Sequence, residues 1–292
     1  MRVVLLSCAK LAEPTPSDAL LAEALRSRGA TVQHAAWTAV HPAEERGRLL
    51  VLRSTWDYFL RFAEFTAWLS RCEAANVSLQ NPVPLVRWNM DKGYLRDLAA
   101  AGVAMPDTLW FAPGERVDLE AVLSSRGWDE AVVKPRVSGT AHGTHRVRRG
   151  ASLTRAEWAP IEGAGAMVQA FVPEVSLGEW SLVYVGGTYS HGVRKIPKAG
   201  DFRVQRDFGG TVERGTPSTA ALALARASLA AIPCAAVYAR VDLLETAAGP
   251  QLMELELIEP ELFMSQYPES AGWLADALLA TVPRLAESAP FA

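Results

Sequence analysis

Two segments near the C-terminal end of the chain alternate apolar and charged residues, and this pattern constrains the fold more than any other feature. The segments span residues 237–244 and 251–258. Because side chains alternate between the two faces of a strand, each segment is predicted to form a β-strand with one apolar and one charged face. The break at residues 247–250 reads Ala-Ala-Gly-Pro, which is typical of a turn. We therefore expect a β-hairpin that lays the two charged faces side by side.

The charged face of this predicted hairpin carries one arginine and three carboxylates. Arg240 and Asp242 lie two residues apart on the first strand, and Glu254 and Glu256 do so on the second. Residues two apart on a strand share a face, so the three carboxylates are predicted to converge. Clustered oxygen ligands of this kind are what Mg²⁺ requires when it binds together with ATP.

A lysine followed by a loop of small residues forms a second candidate site, earlier in the chain. Lys134 ends an apolar, β-branched run, and Ser138, Gly139 and Thr140 lie in the loop after it. This layout presents a cation and free backbone N–H groups to a polyanion, so we predict a phosphate site. The loop lacks the Walker pattern GxxxxGK(S/T), and an ordinary hairpin turn is the alternative interpretation of residues 138–143.

The first part of the chain alternates predicted strands and helices. Residues 3–6, 31–37 and 49–52 are predicted strands, and the helix between the first two is predicted to start at Ser17 and to end at Gly29. This order favours an open parallel α/β sheet. No glycine fingerprint follows the first strand, so a dinucleotide-binding Rossmann site is disfavoured.

A polar and aromatic cluster follows the third predicted strand, where open α/β sheets place their ligands. We interpret Arg53 as a clamp for a substrate carboxylate and Asp57 as a contact for a substrate amine. Ser54 and Thr55 lie beside them and are included among the substrate residues. The alternative is that Asp57 caps the next helix, predicted for residues 58–75, while Arg53 pairs with Asp57.

Lys92 is predicted to lie in the first turn of a helix at residues 90–101. Asn89 would cap this helix, after a linker at residues 83–87. A cation in that position opposes the helix dipole, which indicates an anionic partner. Pairing of Lys92 with Asp91 or with solvent is the alternative.

These motifs resemble those of the ATP-grasp ligases over residues 89–263. The resemblance rests on the order and spacing of Lys92, Lys134 with its loop, Arg240-x-Asp242 and Glu254-x-Glu256. It implies that the two lysines bind the phosphates of ATP and that the three carboxylates bind Mg²⁺. In many members the last metal position is an asparagine, whereas Glu256 stands here, and a glutamate is still an oxygen ligand.

The resemblance also implies contacts to the rest of the nucleotide. Gln169, Phe171 and Val172 would meet the adenine, and Glu179, or else Glu174, would bind the ribose hydroxyls.

A run of basic residues would complete the site on the substrate side. Arg194, Lys195 and Arg203 are expected to form a basic wall that faces the carboxylates, with Arg194 at the substrate. Lys195, Arg203 and Arg240 are the expected catalytic groups. A solvated charge run is the alternative interpretation of the wall.

The predicted fold class is α/β, becoming α+β in the C-terminal part. The resemblance implies an ATP-grasp fold preceded by an open parallel α/β domain. We place this N-terminal domain at residues 1–86, a central ATP-grasp subdomain with the phosphate loop at 87–168, and a C-terminal subdomain with the metal strands at 169–292. A last helix is predicted for residues 269–285.

The resemblance also implies a reaction. ATP-grasp ligases phosphorylate a carboxylate and let a nitrogen nucleophile displace the phosphate. Within the family, residues 53–58, the Arg-Lys pair before Gly-Asp-Phe-Arg and the Glu-Leu-Glu run resemble the branch that contains the cyclo-ligase of cycloserine biosynthesis, which closes a ring within O-ureido-D-serine. The alternatives are an intermolecular carboxylate–amine ligase for a small amino-acid-like substrate and a nucleotide-binding sensor that has lost catalysis.

Composition argues against several other classes of protein. A net charge of -3 provides no basic field for nucleic acid, and no apolar run approaches the ~20 residues of a membrane span. Three cysteines far apart, without CxxC spacing, argue against a disulfide framework and a zinc site, so we predict a cytoplasmic protein. The oligomeric state does not follow from the sequence, and a homodimer is the assembly to test.

Overall fold

The computed structural model describes residues 1–204 and 208–281. Within those residues the strands form three sheets, which helices join and cover. None of the described helices is long and apolar enough to cross a membrane.

The first sheet is parallel, as predicted, and is built from β1 (Arg2–Ser7), β2 (Thr31–Ala36), β3 (Leu49–Ser54) and β4 (Ser78–Gln80). Its strand order is β2-β1-β3-β4. Two helices pack against it, α1 (Pro16–Arg26) and α2 (Phe62–Ala75). Val3 and Leu5 share a core with α1, whereas Val4 and Leu6 share a core with α2. The uninterrupted apolar run of β1 is therefore buried on both faces.

The ends of the first helices differ slightly from the prediction. α1 begins at Pro16 because the hydroxyl of Thr15 accepts the backbone N–H of Asp18 at 3.1 Å. The helix ends at Arg26, before the predicted glycine. The helix predicted after the polar cluster begins as a short 3₁₀ helix at Tyr58–Arg61 and continues as α2.

The connection between the first and second sheets differs most from the prediction. It contains two helices where a linker and one helix were predicted, α3 (Val83–Asn89) and α4 (Tyr94–Ala100). Asn89 ends α3 instead of capping a helix, because its side-chain amide donates to Leu255 O at 2.8 Å and accepts from Leu257 N at 2.9 Å. Lys92 lies between the two helices, so the expectation of an unfavourable helix dipole at Lys92 was wrong.

The second sheet contains β5 (Thr108–Phe111), β6 (Glu130–Pro135), β7 (His145–Arg148) and β8 (Ala166–Ala170). Its strand order is β5-β8-β6-β7, and its pairings are antiparallel. Its core includes residues of α5 (Leu119–Arg126) and α6 (Arg155–Ala164). The small-residue loop, residues 136–144, connects the antiparallel strands β6 and β7, which is compatible with both interpretations of the loop. The predicted domain boundary after residue 168 falls inside β8.

The third sheet is antiparallel and contains the predicted hairpin. Its strands are β9 (Glu179–Val185), β10 (Thr188–Ile196), β11 (Thr211–Arg214), β12 (Tyr238–Thr246) and β13 (Gly249–Glu256), in the order β11-β10-β9-β12-β13. The register of β12 and β13 places Arg240 opposite Glu256 and Asp242 opposite Glu254, which confirms the hairpin. The flanking helices are α7 (Thr219–Ala230) and α8 (Glu269–Ala280). Residues 282–285 of the predicted last helix lie outside the described residues.

Buried hydrogen bonds fix the first sheet against this hairpin. The hydroxyl of Tyr238, at the start of β12, lies 2.7 Å from Leu52 O and 3.0 Å from Ile258 O. Asn81, directly after β4, donates its amide to the carbonyl oxygens of Tyr238 and Leu257 at 2.9 and 2.7 Å. These contacts set the distance between the N-terminal domain and the charged face of the hairpin.

Candidate active site

A cavity of about 570 Å³ opens between the three sheets. Its lining brings together most of the side chains that the sequence singled out. The predicted residues in the described lining are Lys92, Lys134, Ser138, Gly139, Thr140, Gln169, Phe171, Val172, Glu179, Lys195, Arg203, Arg240, Asp242, Glu254 and Glu256. The predicted residues outside it are Arg53, Ser54, Thr55, Asp57 and Arg194.

The charged face of the hairpin forms one wall of the cavity. Arg240 donates to Asp242 through Nε at 2.9 Å and through Nη2 at 2.8 Å, and it also contacts Glu256 across the hairpin. Asp242 accepts two more hydrogen bonds, from Lys195 Nζ at 2.9 Å and from Ser181 Oγ at 2.6 Å. The Asp242 carboxylate is therefore surrounded by donors from the protein itself.

The carboxyl groups of this wall differ in pKa because their neighbours differ. Burial alone would raise the pKa of Asp242, but Arg240 and Lys195 hold it well below its usual range. Burial raises the pKa of Glu256 to about 7, because Arg240 offsets the effect only in part and Glu254 adds to it. A further positive charge beside Glu256 would keep this group ionised at neutral pH.

The three predicted metal ligands differ in how fully donors from the protein engage them. No group of three His, Cys, Asp or Glu side chains within residues 1–204 and 208–281 is arranged to hold a metal ion. Asp242 is engaged by protein donors, whereas the side chains of Glu254 and Glu256 line the cavity and are 35% and 25% exposed. Mg²⁺ is usually held by one or two carboxylates together with phosphate oxygens and water, so this pair fits. Asp242 also orients the two cations beside it, Lys195 and Arg240.

Lys134 is a partly buried cation, and the described residues include no carboxylate partner for it. Its Nζ lies 3.2 Å from Gln169 Oε1, and Gln169 Nε2 donates to Thr108 Oγ1 at 3.1 Å, which fixes the orientation of the amide. Burial lowers the pKa of the Lys134 ammonium, although Glu254 opposes the shift. A cation in such surroundings is stabilised by a bound anion, as a phosphate site requires.

The small-residue loop after β6 packs against the N-terminal domain. Thr140 and Ala141 adopt left-handed φ angles of 49° and 56°. A Cβ atom at Gly139 would lie 2.9 Å from the ring of Phe59, so glycine permits the close approach of loop and ring. The loop thus closes one side of the cavity through backbone rather than through long side chains.

Another part of the lining is apolar, as is typical of sites that bind an aromatic ring. Its residues are Phe171, Val172, Val175, Leu244 and Met253. Glu179, predicted to bind ribose, lies beside Lys195 with Oε1 2.5 Å from Nζ. A ribose contact would therefore share the Glu179 carboxylate with this lysine.

The predicted basic wall is only partly formed. Lys195 and Arg203 line the cavity, and Arg203 Nη2 lies 2.7 Å from Asp201 Oδ2. Arg194 points to the opposite face of β10, because neighbours on a strand alternate. Its guanidinium lies 5.9 Å from the centre of the Trp180 ring. The position of Arg194 therefore corrects its assignment to the substrate.

The polar cluster after β3 is also corrected by the structure. Arg53 is 2% exposed, and its Nε donates to Asp18 Oδ1 at 2.9 Å. Asp57 accepts a hydrogen bond from Trp37 Nε1 at 2.8 Å and is not paired with Arg53. Both side chains thus contact partners inside the N-terminal domain, although Arg53 Nη1 is buried without a hydrogen-bond partner. The other predicted residues of the cluster are also buried, namely Ser54 and Thr55.

The lining includes residues to which sequence reasoning gave no role. Trp56 Nε1 donates to the backbone oxygen of Glu259 at 3.1 Å, and Ser17 Oγ donates to Glu261 Oε1 at 2.6 Å. Each pair joins the N-terminal domain to the segment after β13. The sequence Glu-Pro-Glu directly after the second charged strand indicated that this segment could belong to the site. Its contacts with Trp56 and Ser17 could not be inferred, because these residues lie far away in the sequence.

Comparison with known proteins identifies the family. A family model of the N-terminal domain of D-cycloserine synthetase DcsG matches residues 3–81. The cycloserine biosynthesis protein DcsG of Streptomyces lavendulae is 33% identical over 280 residues, which cover 88% of this chain and 91% of that protein.

Solved structures agree with this relationship. A crystal structure of D-cycloserine synthetase DcsG superposes with a TM-score of 0.82 at 31% identity, covering 96% of this chain and 99% of that one. The D-alanine–D-alanine ligase of Bacillus anthracis matches with a TM-score of 0.71 at 15% identity, over 96% and 97% of the two chains, and shares the fold. The chain therefore belongs to the D-cycloserine synthetase family, within the ATP-grasp ligases, which use ATP.

Proposed function

We propose that this carbon–nitrogen ligase activates the carboxylate of O-ureido-D-serine as an acyl phosphate, which the ureido nitrogen bonded to oxygen attacks, so that phosphate leaves and the ring closes. The carbamoyl group on that nitrogen is then removed by water, as carbamate, to leave D-cycloserine. The observation that carries the proposal is the meeting in one cavity of Lys134, of the glutamate pair Glu254 and Glu256, and of a firmly held Arg240. The names of the related proteins, which span most of this chain, support the choice of product.

The nucleotide would lie between the lysines and the apolar part of the lining. Lys92, Lys134 and the loop at Ser138, Gly139 and Thr140 would contact its phosphates, and Glu254 and Glu256 would hold Mg²⁺. The bound Mg²⁺ supplies positive charge that stabilises the transferring phosphoryl group. The adenosine contacts proposed are Gln169, Phe171, Val172 and Glu179.

Arg240 is positioned to stabilise charge that develops during the reaction. Its Nε and Nη2 are fixed by Asp242, and Nη1 donates to Glu261 O at 3.3 Å. A guanidinium held in this way needs little rearrangement to stabilise the phosphoryl oxygens and then the tetrahedral oxyanion. Lys195 is anchored on the same aspartate, so the two cations act from fixed positions.

The substrate carboxylate must approach the terminal phosphate, and two such anions repel each other. The repulsion is roughly 4 kcal/mol at 4 Å in a surface-like dielectric. Lys195 and Arg203 enter the cavity from β10 and from the segment after it, and we assign them to the reacting carboxylate. Arg203 lies beside Asp201 and is partly exposed, so it can reorient when an anion enters.

A coupled assay of ADP release tests the proposal. We expect ADP and inorganic phosphate in equal amounts from O-ureido-D-serine alone, with D-cycloserine identified by mass spectrometry. ADP release that requires a second, free amino acid would instead indicate an intermolecular ligase. Absence of ADP release across a panel of amino acids would indicate a nucleotide-binding protein without ligase activity.

We also propose a cytoplasmic location, and a homodimer stays a prediction from the sequence. The three cysteines are unpaired, which is compatible with a reducing compartment. Analytical ultracentrifugation tests the homodimer.

A further inference from the structure

The carboxylates that line the cavity are almost all matched by donors from the protein. Glu179 and Asp242 contact Lys195, Glu254 contacts Lys92, and Glu256 contacts Arg240. Glu261 accepts hydrogen bonds from Ser17 Oγ and from the backbone N–H of Phe263, both at 2.6 Å. Glu259 is the exception, because no other residue in the described part of the chain forms an ion pair or a hydrogen bond with its side-chain carboxyl, which interacts only with its own backbone N–H.

Glu259 occupies a defined place in the cavity. It follows β13, and its backbone oxygen accepts the indole N–H of Trp56 at 3.1 Å. Tyr58, which also lines the cavity, lies close enough that Glu259 contributes, after burial, to the raised pKa of its phenol. The carboxyl is therefore accompanied by aromatic side chains from the N-terminal domain.

The surroundings of Glu259 disfavour a negative charge that has no partner. Burial raises the pKa of Glu259 to about 8, and the neighbouring Glu256 and Glu254 add to the effect. A cation bound beside the carboxylate would reverse this shift. In the described lining, each cationic side chain either contacts another carboxylate or lies at the proposed phosphate site. A cation that pairs with Glu259 would therefore come from a ligand.

We propose that Glu259 binds the α-ammonium group of the amino-acid substrate, an inference that rests on the ligase function proposed above. An ammonium group donates charge-assisted hydrogen bonds to a carboxylate, and Trp56 and Tyr58 line the same cavity. The carboxylate end of the same substrate would then lie toward Lys195 and Arg203. Glu259 thus takes the role that the sequence suggested for Asp57, whose carboxylate accepts the indole N–H of Trp37 instead.

Glu259 would make the enzyme selective for zwitterionic amino acids over simple carboxylic acids. A carboxylic acid without the ammonium group would leave the Glu259 carboxyl without a partner in the cavity. Sites built to bind a polar group reject analogues that lack it, because the partner group is left unpaired.

A cycle of two enzymes and two substrates tests this inference. Wild type and Glu259→Gln are each assayed with O-ureido-D-serine and with the analogue in which hydrogen replaces the α-ammonium group. We expect Glu259→Gln to lower kcat/KM for the amino acid by about 10- to 100-fold, as for the loss of one charge-assisted hydrogen bond. The two enzymes should treat the analogue alike, and the KM for ATP should not change. If the analogue is not turned over, its inhibition constant replaces kcat/KM.

Glu213→Gln is the matched control, since it removes the same charge from an exposed position on β11, outside the cavity lining. The inference is overturned if Glu259→Gln weakens both substrates equally, or if it leaves the preference for the ammonium group intact. It is also overturned if saturating Mg²⁺ restores the variant, since Glu259 would then be a metal ligand. If the wild type turns over no amino acid of a broad panel, the ligase proposal itself fails. The two failures are thus distinguished by the wild type alone.

Discussion

Replacing Lys134 by methionine removes the positive charge of the proposed phosphate site and keeps a side chain of similar length. In the ligand-free protein, Lys134 Nζ donates to Gln169 Oε1 at 3.2 Å and has no carboxylate partner among the described residues. Burial lowers its pKa, so the surroundings do not stabilise the charge by themselves. The free energy of unfolding of the ligand-free protein should therefore stay the same or rise slightly in Lys134→Met.

Binding of ATP should weaken strongly in the same variant. A hydrogen bond to a charged group contributes roughly 1.5–3 kcal/mol, which corresponds to about 10- to 150-fold in Kd. Lys92→Met is the matched comparison, because Lys92 contacts Glu254 and its loss leaves that carboxylate without its cation. We expect Lys92→Met to lose ATP affinity and also about 1–3 kcal/mol of stability.

Isothermal titration calorimetry with a non-hydrolysable ATP analogue and Mg²⁺ measures the affinities. Urea denaturation without ligand measures the free energies of unfolding. The phosphate-site interpretation is refuted if Lys134→Met binds the analogue as tightly as the wild type. It also fails if both variants lose the same stability without ligand, since Lys134 would then be a structural cation.

Three further predictions concern the metal pair, the basic residues and pH. Glu254→Gln should remove Mg²⁺-dependent turnover more completely than Glu256→Asn, because asparagine is common at the second position in the ATP-grasp family. The rate of ADP release at increasing Mg²⁺ concentration compares the two variants, and equal losses of activity would contradict the assignment of these glutamates to the metal. Arg203→Ala should lower kcat roughly 100-fold, whereas Arg194→Ala, outside the cavity, should leave steady-state kinetics unchanged. Burial lowers the pKa of His191 to about 4, whereas the unfolded chain binds this proton near pH 6.5, so stability is lost as the pH falls below that value. Between pH 7 and pH 5 the wild type should lose about 2 kcal/mol of its free energy of unfolding through His191. Urea denaturation at the two pH values should show that this loss is absent in His191→Gln.

The features predicted correctly from the sequence depend on short-range periodicity. The β12–β13 hairpin follows from alternation over a few residues, and so does the shared face of Arg240 and Asp242. The same rule places Arg194 and Lys195 on opposite faces of β10, so a single basic wall could have been rejected from the sequence. The parallel first sheet was likewise predictable, because strands and helices alternate in order.

The features that were missed depend on partners far away in the chain. Arg53 and Asp57 stand where ligand contacts are expected, but they contact Asp18 and Trp37. Asn89 has the residue type of a helix cap, yet its amide is used by the backbone of β13. Long-range hydrogen bonds of this kind compete with local preferences, and a single sequence does not show which side chain prevails.

From the ion pairs of the free protein and the proposed metal site, we expect the nucleotide and Mg²⁺ to bind together. Lys92 is paired with Glu254, and Arg240 is paired with Glu256. A phosphate chain that approached Lys92 without a metal ion would also approach Glu254, and like charges at 4 Å repel by roughly 4 kcal/mol in a surface-like dielectric. The sign of this interaction reverses when a divalent cation lies between the glutamates and the phosphates. We therefore expect the same two glutamates to disfavour the bare nucleotide and to favour its magnesium complex, while Lys134 would attract the phosphates in both cases.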